Sequence, residues 1–256
     1  MTTGTHPNAG SVRSTATPVR DRFTSRSHAA ARFVAQRGLL KPLVWRLTRV
    51  TVTGQQNVKN VKGGFIVVAN HGSHLDTPLI FGALPRRLAR YLAAGAAADY
   101  FFDVWWRRGL TALFFNAFPV ERTRKVPRSI SAKSLLQRGI PLLIFPEGTR
   151  SKDGEFGHFK PGAAALATSC SLPCLPVALI GVHIAHPRGT NWPKRGRHPV
   201  GVVFGEPMTA AIGESATDFT ERVRLEILRL RDANSARILG QSGSTNGQLP
   251  SEGAAK

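Results

Sequence analysis

Short runs that are apolar at every position constrain this chain more than any other feature of its sequence. Phe65-Ile66-Val67-Val68-Ala69 is the clearest. A strand with one wet face alternates polar and apolar residues, whereas a continuously apolar, β-branched run fits a strand covered on both faces. Leu142-Leu143-Ile144-Phe145 and the stretch Leu175 to Val182 read the same way, and Val200 to Phe204 is a further strand. Helical patterns are predicted between these runs, over residues 77–84, 99–116, 128–138, 161–170 and 216–231. Strands alternating with helices predict an α/β fold: a single domain whose largely parallel central sheet is flanked by helices.

That domain is predicted over residues 29–236. Residues 1–28 hold mainly Thr, Ser, Arg, Gly and Pro, and residues 237–256 are rich in Gly, Ser, Gln and Ala. Neither stretch buries enough apolar surface to offset its ordering entropy, so both are expected to be disordered tails, the first of them basic. Residues 29–50 form an amphipathic basic segment. Phe33, Leu40, Leu43, Val44 and Leu47 recur at helical spacing, and Gly38 and Pro42 are expected to divide the segment into two short helices. Its apolar stripe has two uses that the sequence leaves open. It can pack on the domain's own core, or it can lie at a bilayer boundary with Trp45 near the headgroups and Arg32, Arg37, Lys41, Arg46 and Arg49 facing anionic lipid.

The chain carries 35 basic and 15 acidic side chains, for a net charge of +20. No acidic residue stands between Asp21 and Asp76. Such a field attracts polyanions: nucleic acid, anionic headgroups or phosphate-bearing cofactors. The aromatics Phe101, Phe102, Trp105, Trp106, Phe114 and Phe115 sit in apolar surroundings and do not alternate with Arg and Lys as base-stacking platforms do. A nucleic-acid-binding protein is thus the rival from another class, and no nucleic-acid partner is expected. Two cysteines, Cys170 and Cys174, are too few for a disulfide scaffold and suit a reducing compartment. Their spacing with His183 and His186 fits no common zinc pattern, so no metal site is expected. The N-terminal stretch is polar, without the apolar core of a leader peptide, and no run reaches the roughly 18–20 apolar residues that span a bilayer. A peripheral protein on the cytoplasmic face of a membrane is expected.

Chemistry-bearing residues follow two of the apolar runs, where α/β sheets gather their functional groups. After the first comes Asn70-His71-Gly72-Ser73-His74-Leu75-Asp76. A neutral imidazole removes a proton from a hydroxyl while a carboxylate holds its other nitrogen, which is the base-and-orienter part of a hydrolase triad. No G-x-S-x-G elbow supplies a serine, so the hydroxyl is expected to be the substrate's. The competing reading is structural: Ser73 with Asp76 matches a helix capping box, and Asp76-Thr77-Pro78 matches a helix start. After the second run comes Phe145-Pro146-Glu147-Gly148-Thr149-Arg150. Gly148 and Thr149 can offer backbone N–H groups to an anion, Arg150 a planar fork, and Glu147 an acceptor for polyol hydroxyls. Alone, this segment also reads as an ordinary turn with a solvated arginine.

Taken together, His-x4-Asp followed by FPEGTR resembles the glycerolipid acyltransferase family that includes 1-acylglycerol-3-phosphate acyltransferases. Phe118-Pro119-Val120-Glu121-Arg122 resembles that family's second block, Phe159-Lys160-Pro161-Gly162 its F-K-x-G segment, and Leu175-Pro176-Val177-Ala178 its last block. Glu121 departs from the usual second block, and no N-terminal membrane helix is visible. The resemblance implies a glycerol-3-phosphate acyltransferase-like fold with His71 and Asp76 catalytic. It implies that Arg122, Glu147, Gly148, Thr149, Arg150 and Lys160 contact the phosphate or glycerol part of the acceptor. It implies transfer of a fatty acyl group from acyl-CoA or acyl-carrier protein to a lysophospholipid hydroxyl, 1-acylglycerol-3-phosphate first among acceptors, with no cofactor beyond the acyl thioester. A relative with another lysolipid acceptor, or a hydrolase using water, are the near alternatives.

Overall fold

The computed structural model describes residues 22–97, 113–120, 131–151 and 153–240. Helices α1 (Arg26–Val34) and α2 (Lys41–Leu47) are joined without a break by a π-helical turn over Ala35–Leu40. Strand β1 (Arg49–Thr53) follows, then β2 (Ile66–Ala69), α3 (Asp76–Ala83), the short α4 (Arg86–Ala89), β3 (Ala93–Ala97) and β4 (Phe118–Val120). The remainder alternates: α5 (Ala132–Gln137), β5 (Leu142–Ile144), α6 (Gly162–Ser169), β6 (Cys174–Ile180), α7 (Val182–Ala185), β7 (Pro199–Phe204) and α8 (Ala216–Leu239).

The strands form one sheet in the order β1-β7-β6-β2-β5-β3-β4. Strands β2 to β6 run parallel, and β7 reverses against β6 while pairing in parallel with β1. The sheet is therefore largely parallel, as the apolar runs predict, and those runs occupy its centre. Alternate residues of β2 reach opposite faces. Val67 and Ala69 join Leu79, Ile80 and Phe81 of α3 in one core, while Ile66 and Val68 join Phe219, Val223 and Ile227 of α8 in the other. Each fully buried side chain of this kind contributes about 1.5–3 kcal/mol.

Three strands were not expected. Strand β1 lies at the sheet edge and is only half-buried, so it lacks a continuously apolar run. Strand β3 is Ala93-Ala94-Gly95-Ala96-Ala97, a composition with poor strand propensity that its neighbours β5 and β4 override. Strand β4 is short and contains Pro119, tolerated at the other edge. Packed chain begins before residue 29: α1 starts at Arg26, and Phe23 is fully buried. At the other end α8 runs beyond residue 236 to a left-handed Gly240. Most of the helix predicted over 99–116, and residues 1–21 and 241–256 of the predicted tails, lie outside the described residues. Gly38 and Pro42 do not split the N-terminal segment; the π-helical turn carries the backbone through. The segment packs on α3, with Val44 buried and Phe33, Leu40, Trp45 and Leu47 half-buried, yet Val34, Leu39 and Leu43 stay exposed. No helix among the described residues is long and apolar enough to cross a membrane.

Candidate active site

Strand β2 ends in Asn70, a buried amide that seals it to β6. Its Nδ2 donates to the Leu179 carbonyl at 3.0 Å, and its Oδ1 accepts from the Leu179 N–H at 2.7 Å. His71 is thereby delivered at the rim of the sheet on a fixed backbone. Two further bonds pin that backbone to the loop after β5. The His71 N–H donates to Glu147 Oε1 at 2.8 Å, and the His71 carbonyl accepts from the Ser151 N–H at 2.8 Å. The two segments singled out in the sequence thus form one structure.

His71 Nδ1 lies 2.7 Å from Asp76 Oδ2. An ionised carboxylate only accepts, so Nδ1 carries the proton and Nε2 keeps its lone pair. The ring stacks on Phe145 with centroids 4.2 Å apart. Asp76 is fully buried at the first position of α3. Its Oδ2 also accepts the N–H groups of Gly72 at 2.7 Å and Ser73 at 2.9 Å. Its Oδ1 is buried without a hydrogen-bond partner among the described residues. The capping and the orienting readings of Asp76 are therefore both true in part. The carboxylate reaches back to the Ser73 N–H as in a capping box, and the same oxygen holds the imidazole. The Ser73 hydroxyl does not complete the box; it accepts from the Leu75 N–H at 3.0 Å.

That hydroxyl has a second partner the sequence did not suggest. His186, on the far side of β6, is buried, and its Nδ1 lies 3.1 Å from Ser73 Oγ. Oγ also accepts from the Leu75 N–H, and the direction of its bond to His186 follows the tautomer of that ring. Burial pushes the His186 imidazolium below its ordinary pKa, against a backbone hydrogen bond with Asn191, and Arg150 pushes the same way as burial. Nearby His74 reaches solvent but is pushed down to about 4, first by desolvation, then by Arg150, His186 and His71. Neither histidine shows a metal-ligand arrangement, and among the described residues no group of three or more potential ligands converges. Cys174 is buried, which pushes its thiol up to about 12.

In the loop after β5, Gly148 adopts φ +73°, and a Cβ there would lie 3.3 Å from Lys160 Nζ. The positive φ favours glycine at this turn, and the Lys160 ammonium approaches it closely. Gly148 departs from its expected role, because its N–H is spent on the Phe145 carbonyl at 3.1 Å. The N–H groups of Thr149 and Arg150 have no acceptor among the described residues. Arg150 is half-buried and its Nη1 is buried without a partner among the described residues. Glu147 also departs from expectation. Its Oε2 accepts from the Gly157 N–H at 3.0 Å, so its two oxygens brace the His71 backbone and a neighbouring loop. Burial raises its pKa, and those two N–H groups oppose the rise. Arg122, with Glu121, lies outside the described residues.

A family model described as Acyltransferase matches residues 49–180. A 1-acyl-sn-glycerol-3-phosphate acyltransferase of Limnanthes douglasii is 30% identical over 141 residues, covering 53% of this chain and 47% of that protein. One from Pseudomonas aeruginosa is 44% identical over 79 residues, 29% of this chain and 28% of that protein. The chain spans about half the length of the first of these relatives. Among solved structures, the 1-acyl-sn-glycerophosphate (LPA) acyltransferase PlsC of Thermotoga maritima aligns with a TM-score of 0.62 and 27% identity, over 84% of this chain and 87% of that one.

Proposed function

This chain belongs to the acyltransferase family, and from that premise we propose that it moves a fatty acyl group from an acyl thioester to the free hydroxyl of 1-acylglycerol-3-phosphate, giving phosphatidic acid. The observation that carries the proposal is the His71–Asp76 pair, its histidine backbone held by the Glu147 carboxylate and the Ser151 N–H of the loop after β5. The acceptor follows the names of the similar proteins from Limnanthes douglasii and Thermotoga maritima.

His71 Nε2 takes the proton of the acceptor hydroxyl, and the oxygen forms a bond to the thioester carbonyl carbon. Asp76 stays ionised and steadies the imidazolium. The carbon–sulfur bond then breaks, and His71 returns its proton to the departing thiolate. The products are the acylated lipid and the free thiol of coenzyme A or carrier protein. The thioester is already activated and the base is a side chain, so the reaction needs neither metal nor prosthetic group. Arg150 Nη1, Lys160 and Arg122 would bind the acceptor phosphate together with the N–H groups of Thr149 and Arg150. Glu147 would act as a brace for His71.

The acceptor resides in a bilayer, so the protein would work peripherally on a membrane surface. The exposed Val34, Leu39 and Leu43 of the N-terminal helices favour attachment there. The free thiols Cys170 and Cys174 fit the cytoplasmic face. Purified protein incubated with labelled acyl-CoA and a panel of lysolipids tests the proposal. Labelled phosphatidic acid is the expected product. Release of free fatty acid without transfer to any lysolipid would replace it with a hydrolase.

A further inference from the structure

At the end of α3 remote from Asp76, α1, the π-helical turn and α2 border an open, shallow cleft of about 320 Å³ with the residues that follow α3. An eight-residue helix rises about 12 Å, so this cleft is distinct from the site around His71. Water occupies about 30 Å³ per molecule in the liquid, so the cleft has room for an anion larger than a few waters. Its lining includes Arg37, Lys41 and Arg86 with Gln55, and among the described residues it has no acidic side chain.

Each of the three cations is placed by something other than a carboxylate. Arg37 donates to the carbonyls of Gly82 at 2.9 Å and Leu84 at 2.7 Å, the last turn of α3. Lys41 Nζ stands 4.8 Å over the Trp45 ring, and the Arg86 guanidinium 4.2 Å over the Phe33 ring. The Trp45 ring is itself wedged against Gly82, where a Cβ would meet it at 2.5 Å. Arg37 lowers the pKa of Lys41 and Arg86 that of Arg37, each adding to burial, so the charges repel one another across the cleft. Three like charges gathered in a concave site with aromatic walls form an unneutralised anion site. The row Phe33, Arg37, Lys41 lines the cleft, and Val34, Leu39 and Leu43 are exposed on other faces of the same helical path.

We propose that this cleft binds a phosphoryl anion, with Lys41 and Arg86 as its mobile donors and Arg37 as its fixed positive floor. A lipid headgroup and a free phosphate share that chemistry. The exposed aliphatic residues of the same helical path suit the former. The inference is independent of acyl transfer, since none of these residues touches His71.

Trp45 is the reporter. In protein labelled with 5-fluorotryptophan, inorganic phosphate should move the Trp45 resonance saturably, beyond the effect of chloride at matched ionic strength. The same response is expected in His71→Ala and Arg150→Ala, which separates the cleft from the proposed acyl-transfer site. Lys41→Ala/Arg86→Ala should weaken it about thirty-fold, as each basic group near such an anion is worth about five-fold. Lys41→Arg/Arg86→Lys should retain it. Arg86 is exposed, so Arg86→Ala alone gives a partial loss without threatening the fold. Phosphatidylglycerol vesicles that move Trp45, with phosphatidylcholine vesicles that do not, assign the anion to a lipid headgroup. A response to phosphate with none to phosphatidylglycerol assigns it to a soluble phosphate. A Trp45 resonance unmoved by both, or moved equally in the double alanine variant, overturns the proposal.

Discussion

The rim around His71 and the N-terminal helices both crowd ionisable groups into a small volume, and they manage the charge in opposite ways. At the rim, Asp76 is fully buried and one of its oxygens collects three donors, while Glu147 divides its oxygens between two loops. Every bond there fixes an angle. At the helices, the cations rest on carbonyls and aromatic rings, contacts that hold a charge in place without neutralising it. The first arrangement suits a group that must point one way, the second a surface that waits for an anion from outside.

The largest expected effect tests the first half of this contrast. His71→Ala should lower turnover about 10²–10⁴-fold with normal circular dichroism, the usual cost of losing a general base. Turnover within a few-fold of wild type would remove His71 from the mechanism. Asp76→Asn should cost less, since the amide oxygen can keep accepting from Gly72 and Ser73. Arg150→Ala should raise KM for a phosphate-bearing acceptor by about 10-fold or more while leaving KM for the acyl donor within about two-fold. A selective loss of donor affinity would reassign the arginine.

His186→Ala should lower kcat about two- to ten-fold with KM unchanged, the worth of one hydrogen bond to the Ser73 hydroxyl. His186→Asn or Gln should recover part of it if the polar atom reaches Ser73. An unchanged kcat would confine His186 to packing. A related expectation concerns pH. His74, His183 and His186 all have pKa values below that of an unfolded histidine. As pH falls below about 6.5 the unfolded chain takes up protons first, so folding stability should decline through the range below it. Urea unfolding at pH 7.5 and pH 5.5 checks the sign: the midpoint should be lower at pH 5.5.

The smallest effect belongs to the helices. Leu39→Asp should leave thermal stability and turnover on dispersed substrate within about two-fold, because an exposed side chain loses little packing. Binding to anionic vesicles should fall. Unchanged vesicle binding would mean that this face does not meet lipid, and the contrast between the two regions would lose its functional half.

The sequence made the buried strands and both loop segments legible because periodicity and composition are local properties. It did not announce β1 and β3, whose strand state depends on the partners β7 and β5. Nor did it announce His186, which lies over a hundred positions from Ser73 along the chain yet within hydrogen-bond reach of it. Glu147 shows the limit within a motif. Its presence is legible, but its bonding to the backbones of His71 and Gly157 is a matter of where the loops after β2 and β5 meet. The same holds for the N-terminal stripe. Gly38 and Pro42 suggested a break, while packing on α3 carried the helical path through by a π-helical turn.

Strand β1 finds its partner in β7, with Arg49 registered on Pro199 and Thr53 on Val203. On a ribosome the chain emerges from its N-terminus, so β1 is made early and its partner late. Through that interval Val50 and Val52 of β1 lack the neighbouring strand that pairs with them. A nascent chain of this design therefore has an early strand with an unpaired edge and a late closing step. Its yield in a cell should depend on how quickly residues 199–204 arrive, rather than on the speed with which the early elements form.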